Sequence, residues 1–303
     1  MPQPVSSSAE PMRDLIDVPG RGVFSALRWD GDAAKPLLVF AHATGFNAGT
    51  YRSLLGPLSD QFRIIAIDQR GHGLSPARAE PDELKTWDTF SDDLVALLDL
   101  LDEPAFLSGH SMGGRVVMLA AAARPDLARG LLMIEPVLMH PSVSRKLWLA
   151  RKFGRPPPNP LAQGAARRRA VFGSRDMMMD AYRGRGAFAT WPDAYLRDYI
   201  DGGTRDLPNG EVELSCAPAW EAATFGSAGQ FFWRALGKVR CPVHVLYAES
   251  ESTLREGVPE LIRGRQPAWD LELVPGTTHF LPMERTELVQ DALRRLARIY
   301  PQG

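Results

Sequence analysis

Gly109-His110-Ser111-Met112-Gly113 fits the pattern G-x-S-x-G, the tight strand-to-helix turn that holds a serine hydroxyl exposed above a sheet. A hydroxyl is a weak nucleophile at its own pKa. It becomes reactive when a base within hydrogen-bond reach takes its proton and donors receive the charge that develops on the attacked oxygen. With 27 glycines and 17 serines, the pattern is expected by chance in about 0.13 of chains this size. Its context therefore has to carry the reading. An apolar run, Ala105-Phe106-Leu107, precedes the turn, and a helical pattern over 112–123, with Val116, Val117, Leu119 and Ala120 on one side, follows it. Glycine at 109 and 113 suits a strained turn in which larger side chains would strike the neighbouring strand and helix. The N–H of Met112, at the helix N-terminus, is placed to donate to an oxyanion, with the helix dipole behind it.

The surrounding elements fit such a turn. Compact apolar runs at 37–41 and 63–67 flank a helical stretch near 51–58, and the alternation continues with a helix over 88–101, the serine turn with its helix, and a strand at 131–134. It resumes with a strand at 243–247, a helix at 255–264, a strand at 271–274 and an amphipathic helix over 285–300. Alternation of this kind predicts a mostly parallel sheet with helices on both faces. Residues 1–13 read as a flexible Ser- and Pro-rich leader. Residues 14–140 and 236–303 form one core, interrupted by an insertion at 141–235 in which no strand-helix alternation is evident.

Four motifs carry a resemblance to the α/β-hydrolase family: the serine turn, Phe40-Ala41-His42-Ala43-Thr44-Gly45-Phe46, Asp68-Gln69-Arg70-Gly71-His72-Gly73-Leu74-Ser75, and Pro275-Gly276-Thr277-Thr278-His279-Phe280. The resemblance spans the core on both sides of the insertion, and implies an α/β-hydrolase fold with an inserted helical cap. It implies that the loop after the third strand supplies a second oxyanion N–H, which maps onto Thr44. Ala43 stands where the family usually has glycine and is the alternative donor. The 68–75 loop is read as scaffold.

Among six histidines, His279 follows the last core strand at the sheet edge that carries Ser111, and the family places its base there. His244 reads as a packed strand residue, His140 as the entry to the insertion, His110 as pointing away from the serine, and His42 and His72 as structural loop residues. The acid is open between Glu135, which ends a strand in Met133-Ile134-Glu135-Pro136, and Glu251 or Glu249 in Ala248-Glu249-Ser250-Glu251. Either strand tip could hold the imidazole. Glu135 is preferred, because in one branch of the family, which includes many haloalkane dehalogenases, a carboxylate ends the earlier strand. Those enzymes and epoxide hydrolases use an aspartate where this chain has Ser111, so both reactions are set aside.

The insertion holds 13 of the 26 aromatics, among them Trp148, Trp191, Trp220, Phe231, Phe232 and Trp233, and carries 14 Lys and Arg against 9 Asp and Glu. The aromatics line an apolar pocket or fill the cap's own small core; Met177-Met178-Met179 has the same two readings. Arg167-Arg168-Arg169 reads as a solvated helix face. A net charge of -1 gives no overall field for nucleic acid. No apolar stretch suits a signal or a membrane span, so the expected location is cytoplasmic. Cys216 and Cys241 make no disulfide framework or metal spacing, and no zinc, Walker or dinucleotide motif implies a cofactor.

The expected partner is a small-molecule ester. The reading is a serine hydrolase of small or medium apolar carboxylic esters or lactones, acting through an acyl-enzyme. Its alternatives are a C–C bond hydrolase, a cofactor-free perhydrolase, and a low-turnover small-molecule sensor.

Overall fold

The computed structural model describes residues 10–155, 157–228, 232–255 and 257–299. Its frame is an eight-stranded sheet: β1 (Met12–Val18), β2 (Gly22–Trp29), β3 (Leu37–Ala41), β4 (Arg63–Ile67), β5 (Ala105–His110), β6 (Ala128–Ile134), β7 (Val243–Ala248) and β8 (Asp270–Val274). The spatial order is β1-β2-β4-β3-β5-β6-β7-β8. β2 is antiparallel to both its neighbours and the remaining pairs are parallel.

The central strands β3 and β5 are buried along their whole length. That is why they read as unbroken apolar runs, as strands covered on both faces do. Successive side chains point to opposite faces, so Leu37, Val39 and Ala41 enter one core while Leu38 and Phe40 enter the other. Phe106 and Leu107 divide in the same way. Because β3 to β8 run in one direction, the loops after Ala41, Ile67, His110, Ile134, Ala248 and Val274 all leave the same sheet edge, where ligands of open parallel sheets gather.

Three expectations need correction. The ordered chain begins before residue 14, since Met12 and Arg13 already pair with Arg28 and Leu27. Arg13 Nη1 bonds Ser25 Oγ at 2.6 Å and Asp68 Oδ2 at 2.8 Å. β1 is a half-exposed edge strand, so the apolar pattern that would announce it is weak. Residues 1–9 of the expected leader, Phe231 and Tyr300 lie outside the described residues.

The insertion is also more than helical. Its helices, Pro141–Lys152, Pro160–Ala166, Arg175–Tyr182, Asp193–Gly202 and Pro218–Ser227, are joined by an antiparallel sheet of Val171–Phe172, Val212–Leu214 and Thr204–Asp206. Strands this short offer no period to read. Nor is Arg168 solvated: Nη1 bonds Glu221 Oε2 at 2.7 Å and Nη2 bonds the Tyr199 hydroxyl at 2.6 Å. His244 is buried but not in purely apolar company, because Nε2 lies 3.1 Å from Glu272 Oε2. No helix among the described residues is long and apolar enough to cross a membrane.

Arg115, on the helix Met112–Ala123, is fully buried. Its guanidinium lies 5.4 Å from the Trp87 ring centre and 5.0 Å from that of Phe232, with no hydrogen-bond partner among the described residues. Burial is the main cause that lowers its pKa from 12.5 to about 10, against the attraction of Asp88. A displacement of that size corresponds to about 3 kcal/mol against the charged folded state, and two aromatic faces return about 2 kcal/mol. Because the folded pKa is the lower one, the penalty is full at neutral pH and fades as pH rises through about 10. Arg115→Met, similar in length and uncharged, is expected to leave stability unchanged or raise it by about 1 kcal/mol in urea unfolding at pH 7. A loss above about 2 kcal/mol would mean that the charge is better compensated than these contacts show.

Candidate active site

Ser111 lies between β5 and the helix Met112–Ala123, at φ 58° and ψ −117°. A non-glycine residue rarely adopts this region, and the surroundings enforce it. Ser111 N–H donates to the Ile134 carbonyl at 3.0 Å, and the Ser111 carbonyl accepts from Val137 N–H at 3.2 Å. Gly109 and Gly113 let the turn close: a Cβ on the first would stand 2.4 Å from the Gly113 carbonyl carbon, and one on the second 2.1 Å from the Ala41 carbonyl oxygen. The turn therefore packs backbone against backbone.

The structure brings His279 and Glu135 to this serine. His279 Nε2 is 3.0 Å from Ser111 Oγ, and Nδ1 is 3.0 Å from Glu135 Oε2. An ionised carboxylate only accepts hydrogen bonds, which puts the neutral ring's proton on Nδ1 and leaves the Nε2 lone pair facing the hydroxyl. The loop bearing His279 is braced by Glu284, which accepts from Thr278 N–H at 2.7 Å and from Thr278 Oγ1 at 2.6 Å.

Glu135, at the end of β6 with φ 49°, has no solvent exposure. Its Oε1 accepts from Ala248 N–H at 2.6 Å and Ser252 Oγ at 2.7 Å, and its Oε2 accepts from Thr253 N–H at 3.0 Å. Burial raises the cost of its charge, but the bonds from His279, Ala248 and Ser252 outweigh that and hold its pKa below the ordinary carboxylate value.

The other two acid candidates are not at the imidazole. Glu251 is exposed at φ 52°, and Glu249, also exposed, accepts from Gly276 N–H at 2.9 Å. The reason is steric and local: the loop after β7 turns Ser252 and Thr253 inward onto Glu135, which leaves the flanking glutamates outside. Sequence reading missed both donors, for an isolated Ser-Thr pair carries no signal until its acceptor is known.

Of the two N–H groups assigned to the oxyanion, that of Met112 follows Ser111 in the chain and that of Thr44 lies in the loop after β3. Met112 opens its helix, where the first N–H groups lack intrahelical partners. Thr44 Oγ1 donates to Met112 Sδ at 3.4 Å, joining the two segments. The Ala43 N–H is engaged by the Tyr51 hydroxyl at 3.2 Å, whereas the Ala43 carbonyl accepts from His42 Nδ1 at 2.7 Å and from Phe46 N–H at 3.1 Å. Because a trans peptide is planar, fixing the Ala43 carbonyl aims the Thr44 N–H the opposite way. Of the two candidates, this favours Thr44. Burial lowers the His42 pKa to about 4, so its ring is neutral, and its Nε2 accepts from Gln69 N–H at 2.9 Å.

In the 68–75 loop, Asp68 accepts from Ala48 and Leu74 N–H at 2.7 and 3.0 Å, and Arg70 makes a two-point pair with Asp93 at 2.9 and 2.7 Å. These contacts brace the floor of the site.

Three rings from separate segments pack together next to His279, whose ring lies 5.6 Å from that of Phe280. Trp191 of the insertion meets Phe46 edge-on at 5.1 Å and Phe280 at 5.7 Å, and Phe46 stacks on Phe280 at 6.4 Å. Tyr182, Phe188 and Tyr199 pack on one another, as the cap-core reading expects, while Trp191 also reaches the core loops that bear Phe46 and Phe280. Met178 and Met179 are buried and Met177 is exposed. Among the described residues no group of three or more His, Cys, Asp or Glu could hold a metal ion, and both cysteines are free.

Comparison with known proteins agrees with this architecture. The model of the alpha/beta hydrolase family matches residues 38–292, and the chain belongs to that family. A 2-(acetamidomethylene)succinate hydrolase of Mesorhizobium japonicum is 40% identical over 101 residues, 33% of this chain and 35% of that protein. The sn-1-specific diacylglycerol lipase ABHD11 of Mus musculus is 37% identical over 109 residues, 35% of this chain and 34% of its own. The chain thus aligns with about a third of the length of these relatives. Among solved structures, an E-2-(acetamidomethylene)succinate hydrolase has TM-score 0.77 at 23% identity, covering 95% of this chain and 99% of its own. An esterase of M. tuberculosis has TM-score 0.71 at 23% identity, covering 96% and 93%. At these identities the structures speak to the fold.

Proposed function

We propose that this chain is a serine hydrolase that cleaves small or medium apolar carboxylic esters or lactones through an acyl-enzyme, with Ser111 as nucleophile, His279 as base and Glu135 as the acid that orients it. One observation carries the reading: Ser111 Oγ, the His279 ring and the Glu135 carboxylate form an unbroken hydrogen-bonded line, 3.0 Å at each step.

Ser111 Oγ attacks the ester carbonyl carbon as its proton passes to His279 Nε2. The negative charge on the former carbonyl oxygen is received by the N–H groups of Met112 and Thr44. Collapse expels the alkoxide, which takes the proton from Nε2, and leaves an acyl group on Ser111. Water then attacks that acyl group, again giving a proton to Nε2, and release of the acid restores the serine hydroxyl. Glu135 stays ionised and stabilises the imidazolium in both halves.

The rings of Trp191, Phe46 and Phe280 support an apolar substrate, with residues 141–235 acting as a cap over the core. The relatives' names, a hydrolase of an amide-bearing succinate and a lipase, support hydrolysis as the reaction class.

The test is a panel of p-nitrophenyl esters from acetyl to decanoyl. The expected result is turnover with a burst of p-nitrophenol close to the enzyme concentration, which reports the acyl-enzyme and separates an enzyme from a sensor. Neither turnover nor burst across the panel would count against the proposal. Trp191→Ala is expected to move the preference toward longer acyl chains, raising kcat/KM for the longest ester relative to the shortest roughly tenfold. An unchanged profile would remove Trp191 from the acyl pocket.

A further inference from the structure

His110, the residue before the nucleophile, is fully buried, and both its ring nitrogens are engaged by groups other than the Ser111 hydroxyl. Its Nε2 lies 2.8 Å from the backbone carbonyl of His279, and its Nδ1 lies 2.7 Å from the Tyr51 hydroxyl. Donor and acceptor chemistry together with burial places the protons here. A carbonyl oxygen can only accept, so Nε2 carries the hydrogen. The ring is neutral, since burial and then the neighbouring His279 push its pKa well below the ordinary histidine value. Nδ1 is therefore a lone pair, and the Tyr51 hydroxyl donates to it. The Tyr51 oxygen in turn accepts from the Ala43 N–H at 3.2 Å. The direction is fixed at every step, from Ala43 N–H to Tyr51 to His110 to the His279 carbonyl.

The two ends of this line are backbone atoms of segments far apart in sequence. One precedes Thr44, the assigned oxyanion donor; the other belongs to the assigned base. Tyr51 is clamped at 4.6 Å from the Phe40 ring, so the line has little slack. We infer that Tyr51 and His110 are positioning residues that lock the oxyanion loop and the histidine loop into one register on either side of Ser111. The inference rests on the serine-hydrolase reading. Both residues are fully buried, so each acts through the groups it holds. The pair also keeps a neutral ring, 4.9 Å centre to centre, next to the imidazolium that His279 must become, where a second cation would oppose proton transfer.

The test measures kcat and KM separately for a short acyl ester, with unfolding by urea alongside. Tyr51→Phe keeps the ring and removes only the hydroxyl. It is expected to lower kcat about 10- to 100-fold with KM within about twofold, as small misplacements of reacting groups do. His110→Leu, which can neither donate nor accept, is expected to lose about 100-fold in kcat. His110→Gln, whose amide N–H can still reach the His279 carbonyl, recovers part of that loss. In the Tyr51→Phe/His110→Leu double variant the losses fail to add, because one line is cut twice.

Three outcomes overturn the inference: kcat within about threefold of the original in both folded single variants, a loss confined to KM, or failure of Tyr51→Phe to unfold cooperatively, which would assign the hydroxyl to the fold. Ser111→Ala run in parallel separates the two claims. If it stays active, the hydrolase reading fails. If it is inactive while Tyr51→Phe and His110→Leu both keep kcat within about threefold of the original, only the positioning line fails.

Discussion

Ser111→Ala is expected to lower kcat for p-nitrophenyl esters by about 10⁶-fold, the scale on which removing a triad nucleophile acts. The activity expected to remain is that of water attacking an ester polarised by the N–H groups proposed for the oxyanion, those of Met112 and Thr44, roughly 10³- to 10⁴-fold above the uncatalysed rate. Stability should hardly change, because alanine inherits the strained φ of 58°. Ser111→Gly separates strain from chemistry. It lacks the nucleophile equally, but glycine adopts positive φ without penalty. It is expected to be as inactive as the alanine variant and more stable by about 1 kcal/mol. Strain relieved only when activity is already gone would show that the turn exists to present the hydroxyl. More than about 1% of the original kcat in either variant would remove Ser111 from the mechanism.

What could be read in the sequence divides along physical lines. The buried strands 37–41 and 63–67 are legible to the residue, because a strand covered on both faces is apolar throughout and ends where turn residues begin. The elbow is legible because its glycines are forced by backbone-to-backbone contact that no other residue tolerates. His279 is legible through its place after the last strand. The edge strand β1 is not, since half of it faces water. Neither are the two- and three-residue strands of the insertion, whose pairing is decided by tertiary contact.

Within the site, the illegible groups are those whose meaning lies in a distant partner. Ser252 and Thr253 matter because Glu135 sits 117 and 118 positions away in sequence yet within bonding distance. Arg168 in a run of three looks solvated until Glu221 and Tyr199 are brought to it. Trp191 has the same composition signal as Trp148, which is 41% exposed; only the fold tells the ring packed on Phe46 and Phe280 from the ring left partly exposed.

The choice of acid shows the same distinction and gives the second large effect. Glu135→Gln is expected to lower kcat about 10³- to 10⁴-fold, with KM little changed. The carboxylate receives N–H donors at both oxygens, Ala248 at Oε1 and Thr253 at Oε2. An amide must point its own NH₂ at one of them. With NH₂ in the Oε1 place, Ala248 N–H loses its acceptor; in the Oε2 place, the amide donates to His279 Nδ1 and drives the ring's proton to Nε2, where it can no longer accept from Ser111. The imidazolium also loses its counter-charge in either orientation. Glu251→Gln changes an exposed side chain and is expected to stay within about twofold in kcat. The pH dependence of stability supplies an independent check. A carboxyl whose folded pKa is depressed, as for Glu135, stabilises the fold above its unfolded value and loses that contribution as pH falls through the folded one. The stability gap between the parent protein and Glu135→Gln should therefore be full at neutral pH and close in acid. A gap independent of pH, or a large loss of kcat in Glu251→Gln with none in Glu135→Gln, would transfer the role away from the end of β6.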